Sequence, residues 1–179
     1  MTMNVENKEG ISVKKLVYAA LATALICIST MFIQVTIPLG YAHFGNTFIL
    51  LSSYLFGKRV GAASAAVGSA LADFLTGYAI WIIPTLIIKS IMGFVIGSLS
   101  NKNNHPKKVA SAGLLAGAVI SNAWMVVGYT FSGAILYGSL AAGLASTPGL
   151  ILEGVVNIVA FYILAFILEK SSFIKTMTR

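Results

Sequence analysis

The sequence predicts an all-α integral membrane protein, a compact bundle of six transmembrane helices with both termini in the cytoplasm. Three observations lead there. The 179 residues are 58% hydrophobic and 9% charged, with a mean hydropathy of +0.89, whereas soluble domains carry about 25% charged residues. The apolar residues fall into six segments. The basic residues fall between those segments, on alternate connections.

The segments are 16–33, 46–57, 60–79, 82–99, 109–131 and 149–168. A helix needs about 20 residues to cross the hydrocarbon, and five of the six reach or approach that length. The second, NTFILLSSYLFG, is short. It either begins earlier, within IPLGYAHFGN, or crosses part of the bilayer while the loop before it dips in. The chain has room for one domain, 1–179, with 1–14 and 170–179 as cytoplasmic ends.

Orientation comes from lysine and arginine. Lys8, Lys14 and Lys15 precede the first segment, and Lys58 and Arg59 occupy the second turn. Lys102, Lys107 and Lys108 occupy the fourth connection, and Lys170, Lys175 and Arg179 the tail. Of the 12 basic residues only Lys89 is left over, and it lies within an apolar segment. The connections at 34–45, 77–82 and 132–148 have none. The net charge of +7 is therefore read as membrane orientation, not nucleic-acid binding. The first segment is too long for a signal-peptide core and lacks a small-residue cleavage site. The single cysteine, Cys27, excludes an intramolecular disulfide and reads as a packing residue.

Ionisable side chains inside a membrane are costly and are usually functional or paired. Counting the helical rise puts Asp73 ~6 Å and Lys89 ~8 Å from the outer surface, with Glu153 at a similar depth. Asp73 and Lys89 flank a tight connection and can pair across it, which would offset their cost without a ligand. Glu153 has no evident partner nearby in sequence, which favours function. Asn122 and Asn157 add polar groups near that level, and Glu153 and Asn157 share a helix face at i, i+4. The outer connections supply Tyr41, His43, Phe44, Asn46, Tyr78, Trp81 and Tyr137, with Trp124 and Tyr129 on the fifth segment. Tyr78 and Trp81 also suit interfacial anchoring, Trp124 core packing and His43 loop bracing. Taken as a site, these residues form an outward-facing cavity with a polar floor and aromatic walls, suited to a small planar molecule.

Small residues run along several segments: Ala20 and Ala24 in the first, GAASAAVGSALA in the third, GFVIG and GLLAG in the fourth and fifth. Such stripes let helices approach closely in lipid, and they place the third segment centrally. Ala20 and Ala24 serve either internal packing or a partner's helix.

Catalytic signatures are lacking. The sequence has no phosphate-binding glycine loop. Its two histidines, His43 and His105, fall in separate loops, so neither a metal site nor a cofactor is expected. Asp73 is the only aspartate, one short of an aspartyl protease dyad. The chain is therefore expected not to be an enzyme. An ion-coupled secondary carrier for a small polar metabolite, relaying protons through Asp73, Lys89 and Glu153, is the alternative to a binding subunit.

The runs HFGNTFILLSSYLFGKRVGA and GSALADFLTGYAIWIIPTLIIKSIMG, with the Ala20/Ala24 pair, resemble the substrate-binding S component of an energy-coupling factor (ECF) vitamin transporter. The similarity is to the riboflavin-transporter-like branch that includes hydroxymethylpyrimidine and pyridoxine types. It implies a high-affinity vitamin-binding subunit in a bacterial plasma membrane, with pyridoxine or hydroxymethylpyrimidine favoured as ligand. It also implies a transmembrane coupling protein (T component) and two cytoplasmic ATPase subunits as partners, the lipid bilayer as surroundings, and no nucleic acid. Ala20 and Ala24 would contact the coupling protein, and the loop around Tyr41–Asn46 would be a gate. Asp73, Tyr78, Trp81, Lys89, Asn122, Trp124, Glu153 and Asn157 occupy the family's pocket regions.

Overall fold

A computed structural model describes residues 13–37, 40–102, 105–106 and 108–171. Lys8, Lys107, Lys175, Arg179 and most of both expected terminal segments lie outside the described residues. Among the described residues five helices set the architecture: α1 (Val13–Phe32), α2 (Gly45–Leu75), α3 (Ile82–Ser100), α4 (Ala112–Leu136) and α5 (Leu140–Lys170). A β-hairpin, β1 (Gln34–Ile37) with β2 (Gly40–His43), joins α1 to α2, and a single 3-10 turn at Ala79–Trp81 leads into α3. Two-residue strands β3 (Asn101–Lys102) and β4 (His105–Pro106) sit between α3 and α4. The protein is an all-helical membrane protein, with four stretches long and apolar enough to cross: Val13–Phe32, Ala79–Ser100, Ala112–Leu136 and Leu140–Lys170.

The expected count of six helices is therefore corrected to five. The segments expected at 46–57 and 60–79 run together as α2, whose backbone leaves helical geometry at Gly57 (φ 82, ψ 174). Glycine reaches that conformation without the steric cost of a side chain. A Cβ on Gly61 would lie 2.5 Å from Ser53 Cα, although residues eight apart in a straight helix are ~12 Å apart. The two halves of α2 thus fold back on each other at Gly57. The last correction concerns α5. The connection expected at 132–148 is mostly helical, because α4 continues to Leu136 and α5 starts at Leu140, with Pro148 inside it. The turn between them needs only Tyr137–Ser139, with Gly138 at φ 64, and the Ser139 hydroxyl caps α5 by accepting from the Ala142 amide at 3.4 Å.

Close approach through small residues orders the bundle. A Cβ on Gly68 would lie 2.7 Å from the Thr23 carbonyl oxygen of α1, and one on Gly93 of α3 would lie 2.8 Å from that of Gly61. α2 consequently packs between α1 and α3, and also meets α5; α3 packs on α4, and α4 on α5. The buried core runs through Ile26, Ile49, Leu50, Tyr54, Met92, Ile96, Met125 and Phe161.

Candidate functional site

Most of the polar residues singled out in the sequence meet at the end of the bundle that carries the β1–β2 hairpin and the 76–81 turn. The hairpin pairs Gln34 with His43 and Thr36 with Tyr41, which leaves Tyr41 and His43 on the strand that leads into α2. From there each reaches a different helix. The Tyr41 hydroxyl donates to Asp73 Oδ1 at 2.9 Å, near the end of α2. The His43 carbonyl accepts from Asn157 Nδ2 at 2.8 Å, on α5.

His43 is buried. Its Nδ1 accepts from the Gly45 amide at 3.0 Å, which leaves Nε2 as the protonated nitrogen of a neutral ring. That nitrogen lies 3.7 Å from Glu153 Oε1, too far for a hydrogen bond. Burial, and then the nearby Lys89 charge, push the imidazole well below its ordinary value of 6.5, so the ring is neutral at physiological pH.

Asn46 and Thr47 begin α2 with both side chains buried. Asn46 Oδ1 accepts from Lys89 Nζ at 2.5 Å, and its Nδ2 donates to Glu153 Oε1 at 2.6 Å. Its Nδ2 also donates to Met125 Sδ of α4 at 3.0 Å, so four helices are joined through this one amide. Thr47 donates to Asn157 Oδ1 twice, from its backbone nitrogen at 2.8 Å and from its hydroxyl at 2.7 Å. Asn157 Nδ2 also donates to the Glu153 carbonyl, one turn earlier on α5, at 2.9 Å. The amides of Asn46 and Asn157 and the Thr47 hydroxyl all have partners, as low-dielectric surroundings demand.

One expectation changes. Asp73 and Lys89 do not form an ion pair: the lysine turns to Asn46 and the aspartate to Tyr41 of the hairpin. Glu153, without a partner nearby in sequence, finds one in Asn46. Both arrangements follow from contacts across long sequence separations, which bring the hairpin and the start of α2 over the charges.

Aromatic rings flank the charges. Tyr78 meets Tyr41 edge-on at 4.8 Å, and its backbone nitrogen donates to the Asp73 carbonyl at 2.8 Å. Trp81 is buried and tilts against Tyr129 at 5.7 Å and Tyr137 at 6.2 Å. Lys89 Nζ stands 5.0 Å over the Tyr129 ring, whose hydroxyl bonds Thr85 at 3.0 Å. Thr85 and Thr47 were not singled out in the sequence. Thr85 had a signal, since it precedes Lys89 by one turn on the same face; Thr47 had only its position beside Asn46.

Two other candidates stand apart. Trp124 is 36% exposed, and its indole donates to the Ile88 carbonyl at 3.2 Å, so it braces α3 against α4 from the outer side of the bundle. Asn122 lies on the α4–α5 seam: its Nδ2 donates to the Ala118 carbonyl of its own helix at 2.8 Å, and a Cβ on Gly154 would sit 3.3 Å from its Oδ1. Among the buried polar atoms without a hydrogen-bond partner, Asp73 Oδ2 and Trp81 Nε1 belong to the cluster, Thr30 Oγ1 lies beside Gly45 and His43, and Asn122 Oδ1 lies on the α4–α5 seam.

Ala20 and Ala24 are exposed on α1, opposite the buried Ala22 and Ile26. Their face is free for another helix. A separate groove of about 500 Å³ between α1, α2 and α5, lined by residues such as Leu21, Leu25, Phe48, Leu55 and Leu168, shares none of the polar cluster.

Residues 10–170 match the model of the family described as ECF-type riboflavin transporter, S component. An uncharacterized protein in the gap 3' region of Pyrococcus woesei is 35% identical over 147 residues, which cover 81% of this chain and 95% of the relative. A UPF0397 protein of Staphylococcus aureus (strain Newman) is 28% identical over 173 residues, covering 92% of this chain and 91% of the relative.

Proposed function

The chain belongs to the ECF-type riboflavin transporter S component family, and on that premise we propose that it is the vitamin-binding subunit of an ATP-driven importer. Its ligand is a small heteroaromatic vitamin or precursor, with pyridoxine or hydroxymethylpyrimidine favoured. The ligand binds beneath the β1–β2 hairpin, near the outer face, and both termini lie in the cytoplasm of a bacterial plasma membrane. Transport is driven by a T component and two ATPase subunits, and Ala20 and Ala24 of α1 meet the coupling protein.

One observation carries this reading. A hairpin is tied to α2 through Tyr41 and to α5 through His43, over a cluster that still holds unpartnered buried atoms on Asp73 and Trp81. Buried polar groups without partners are uncommon in native structures and call for an explanation; a ligand that accepts from the indole and donates to the carboxylate supplies one. The surrounding tyrosines and Trp81 give a flat ring something to stack on. The hairpin, held by a few hydrogen bonds, can release and reclose.

The test is calorimetry or tryptophan quenching of the purified protein with the water-soluble vitamins and their precursors. Saturable binding of one of them is expected, with uptake into liposomes only when T component, ATPases and ATP are co-reconstituted. Absence of binding to every compound contradicts the proposal. Uptake by the protein alone under a proton gradient would favour a secondary carrier instead.

A further inference from the structure

Among the described residues, the buried carboxylic acids, lysine and histidine are Asp73, Glu153, Lys89 and His43. His43 is neutral, held so by burial and by the adjacent Lys89. That leaves one ammonium against two carboxylates. Their pairing is unequal. Lys89 and Glu153 are bridged by Asn46, whereas Asp73 turns to Tyr41. Asp73 is the carboxylate left without its own cation. One of its oxygens takes the Tyr41 hydroxyl; the other is buried without a well-formed hydrogen bond, with the Thr85 hydroxyl near the carboxylate, in a residue only 7% exposed.

A carboxylate in such surroundings is strongly unfavourable unless a charged donor completes it. The groups around Asp73 are those that favour a cation. Tyr41 and Tyr78 meet edge-on beside it, and the turn that follows carries Trp81 toward Tyr129 and Tyr137. Ring faces attract positive charge and add to a carboxylate's pull. Lys89 over Tyr129 already shows the arrangement within the protein.

We infer that the bound molecule carries a positively charged nitrogen whose N–H donates to Asp73 Oδ2, with its ring among Tyr41, Tyr78 and Trp81. The inference rests on the vitamin-binding reading above and narrows it: within the heteroaromatic class, members bearing a protonatable amine or a cationic ring bind in preference to net-neutral or anionic ones. A hydroxymethylpyrimidine fits through its exocyclic amine and protonatable ring.

Pyridoxamine and pyridoxine make a matched pair, since they differ by an ammonium in place of a hydroxyl. Titrations of the purified full-length protein use these two, together with 4-amino-5-aminomethyl-2-methylpyrimidine as a second cation whose charged nitrogen bears N–H, riboflavin as a neutral ring, and pantothenate and biotin as anions. The expected result is that the cations bind at least about tenfold tighter than the net-neutral and anionic compounds, the size expected of one charge-assisted hydrogen bond. Asp73→Asn, which keeps the shape and removes the charge, is expected to erase the preference. Tightest binding of a neutral or anionic vitamin by the unmodified protein overturns the inference and leaves the vitamin-binding reading intact. An Asp73→Asn protein with an unchanged preference overturns it equally. Binding of none of the compounds overturns the vitamin-binding reading itself, and the inference with it.

Discussion

The Asn46 side chain holds Lys89 and Glu153 together without their touching, accepting from Lys89 Nζ at 2.5 Å and donating to Glu153 Oε1 at 2.6 Å. One neutral amide therefore completes two buried charges on two helices that are not sequence neighbours. No other described side chain hydrogen-bonds either charge, and Glu153 is otherwise met by the His43 backbone, so the amide is where the network is most easily broken.

Replacing Asn46 by leucine keeps the volume and removes both bonds. Leaving buried charged groups short of a partner is expected to cost about 3–5 kcal/mol. Thermal unfolding in detergent measures this. A marked drop in Tm is expected for Asn46→Leu, against little change for Ile87→Leu, an exposed position on α3. An Asn46→Leu protein as stable as the unmodified one would show that the bridge does not hold the helices.

The hairpin gives a pH prediction. Its His43 is held well below the ordinary value of 6.5 by burial and by Lys89. Released from α5, the ring regains that ordinary value and takes up a proton below it; docked, it does so only at much lower pH. Proton uptake therefore favours the released hairpin, and the docked form loses stability as pH falls below 6.5. Hydrogen exchange of residues 40–43 at pH 7.5 and pH 5.5, corrected for intrinsic rates, is expected to show weaker protection at the lower pH. His43→Gln, which cannot titrate, is expected to remove the difference. Equal protection at both pH values would contradict the docked, neutral imidazole.

The membrane class and the approximate positions of the helices were legible in composition and hydropathy, because lipid imposes long apolar runs on any spanning chain. The pairing of Glu153 with Asn157 on one face was legible too, since i, i+4 spacing fixes it locally. What was not legible depended on distant contacts. Asn46 and Lys89 are 43 residues apart, so the lysine's partner could not be read from its neighbours, and the nearby Asp73 was the natural but mistaken choice. The fold-back of α2 turns on the conformation of one residue, Gly57, which hydropathy does not register. The sixth apolar segment begins at 149, just after Pro148, yet α5 runs through that proline from a Ser139 cap. In a membrane a proline can sit inside a helix when neighbouring groups satisfy the freed backbone. Trp124 looked equally suited to core or ligand; it faces outward and bonds the Ile88 carbonyl, a partner 36 residues away that its neighbours do not reveal.

The exposed small-residue pair on α1 separates binding from transport. Ala20 and Ala24 lie away from the polar cluster, on a face with no partner among the described residues. Changing both to leucine blocks close helix approach in lipid and touches none of the groups beneath the hairpin. Vitamin affinity is expected to stay unchanged while uptake by the reconstituted complex is abolished. Reduced affinity in the double variant, or normal uptake, would place the coupling surface elsewhere.

The central claim is that the cluster beneath the hairpin holds a small heteroaromatic vitamin or precursor. Mass spectrometry of the small molecules released from the purified, denatured protein tests it most directly. The account predicts one such compound in near-stoichiometric amount, absent from a folded Asp73→Ala or Lys89→Ala variant prepared in parallel. Release of no such compound from the unmodified protein, even after incubation with the vitamin panel, would contradict it, as would equal retention by both variants.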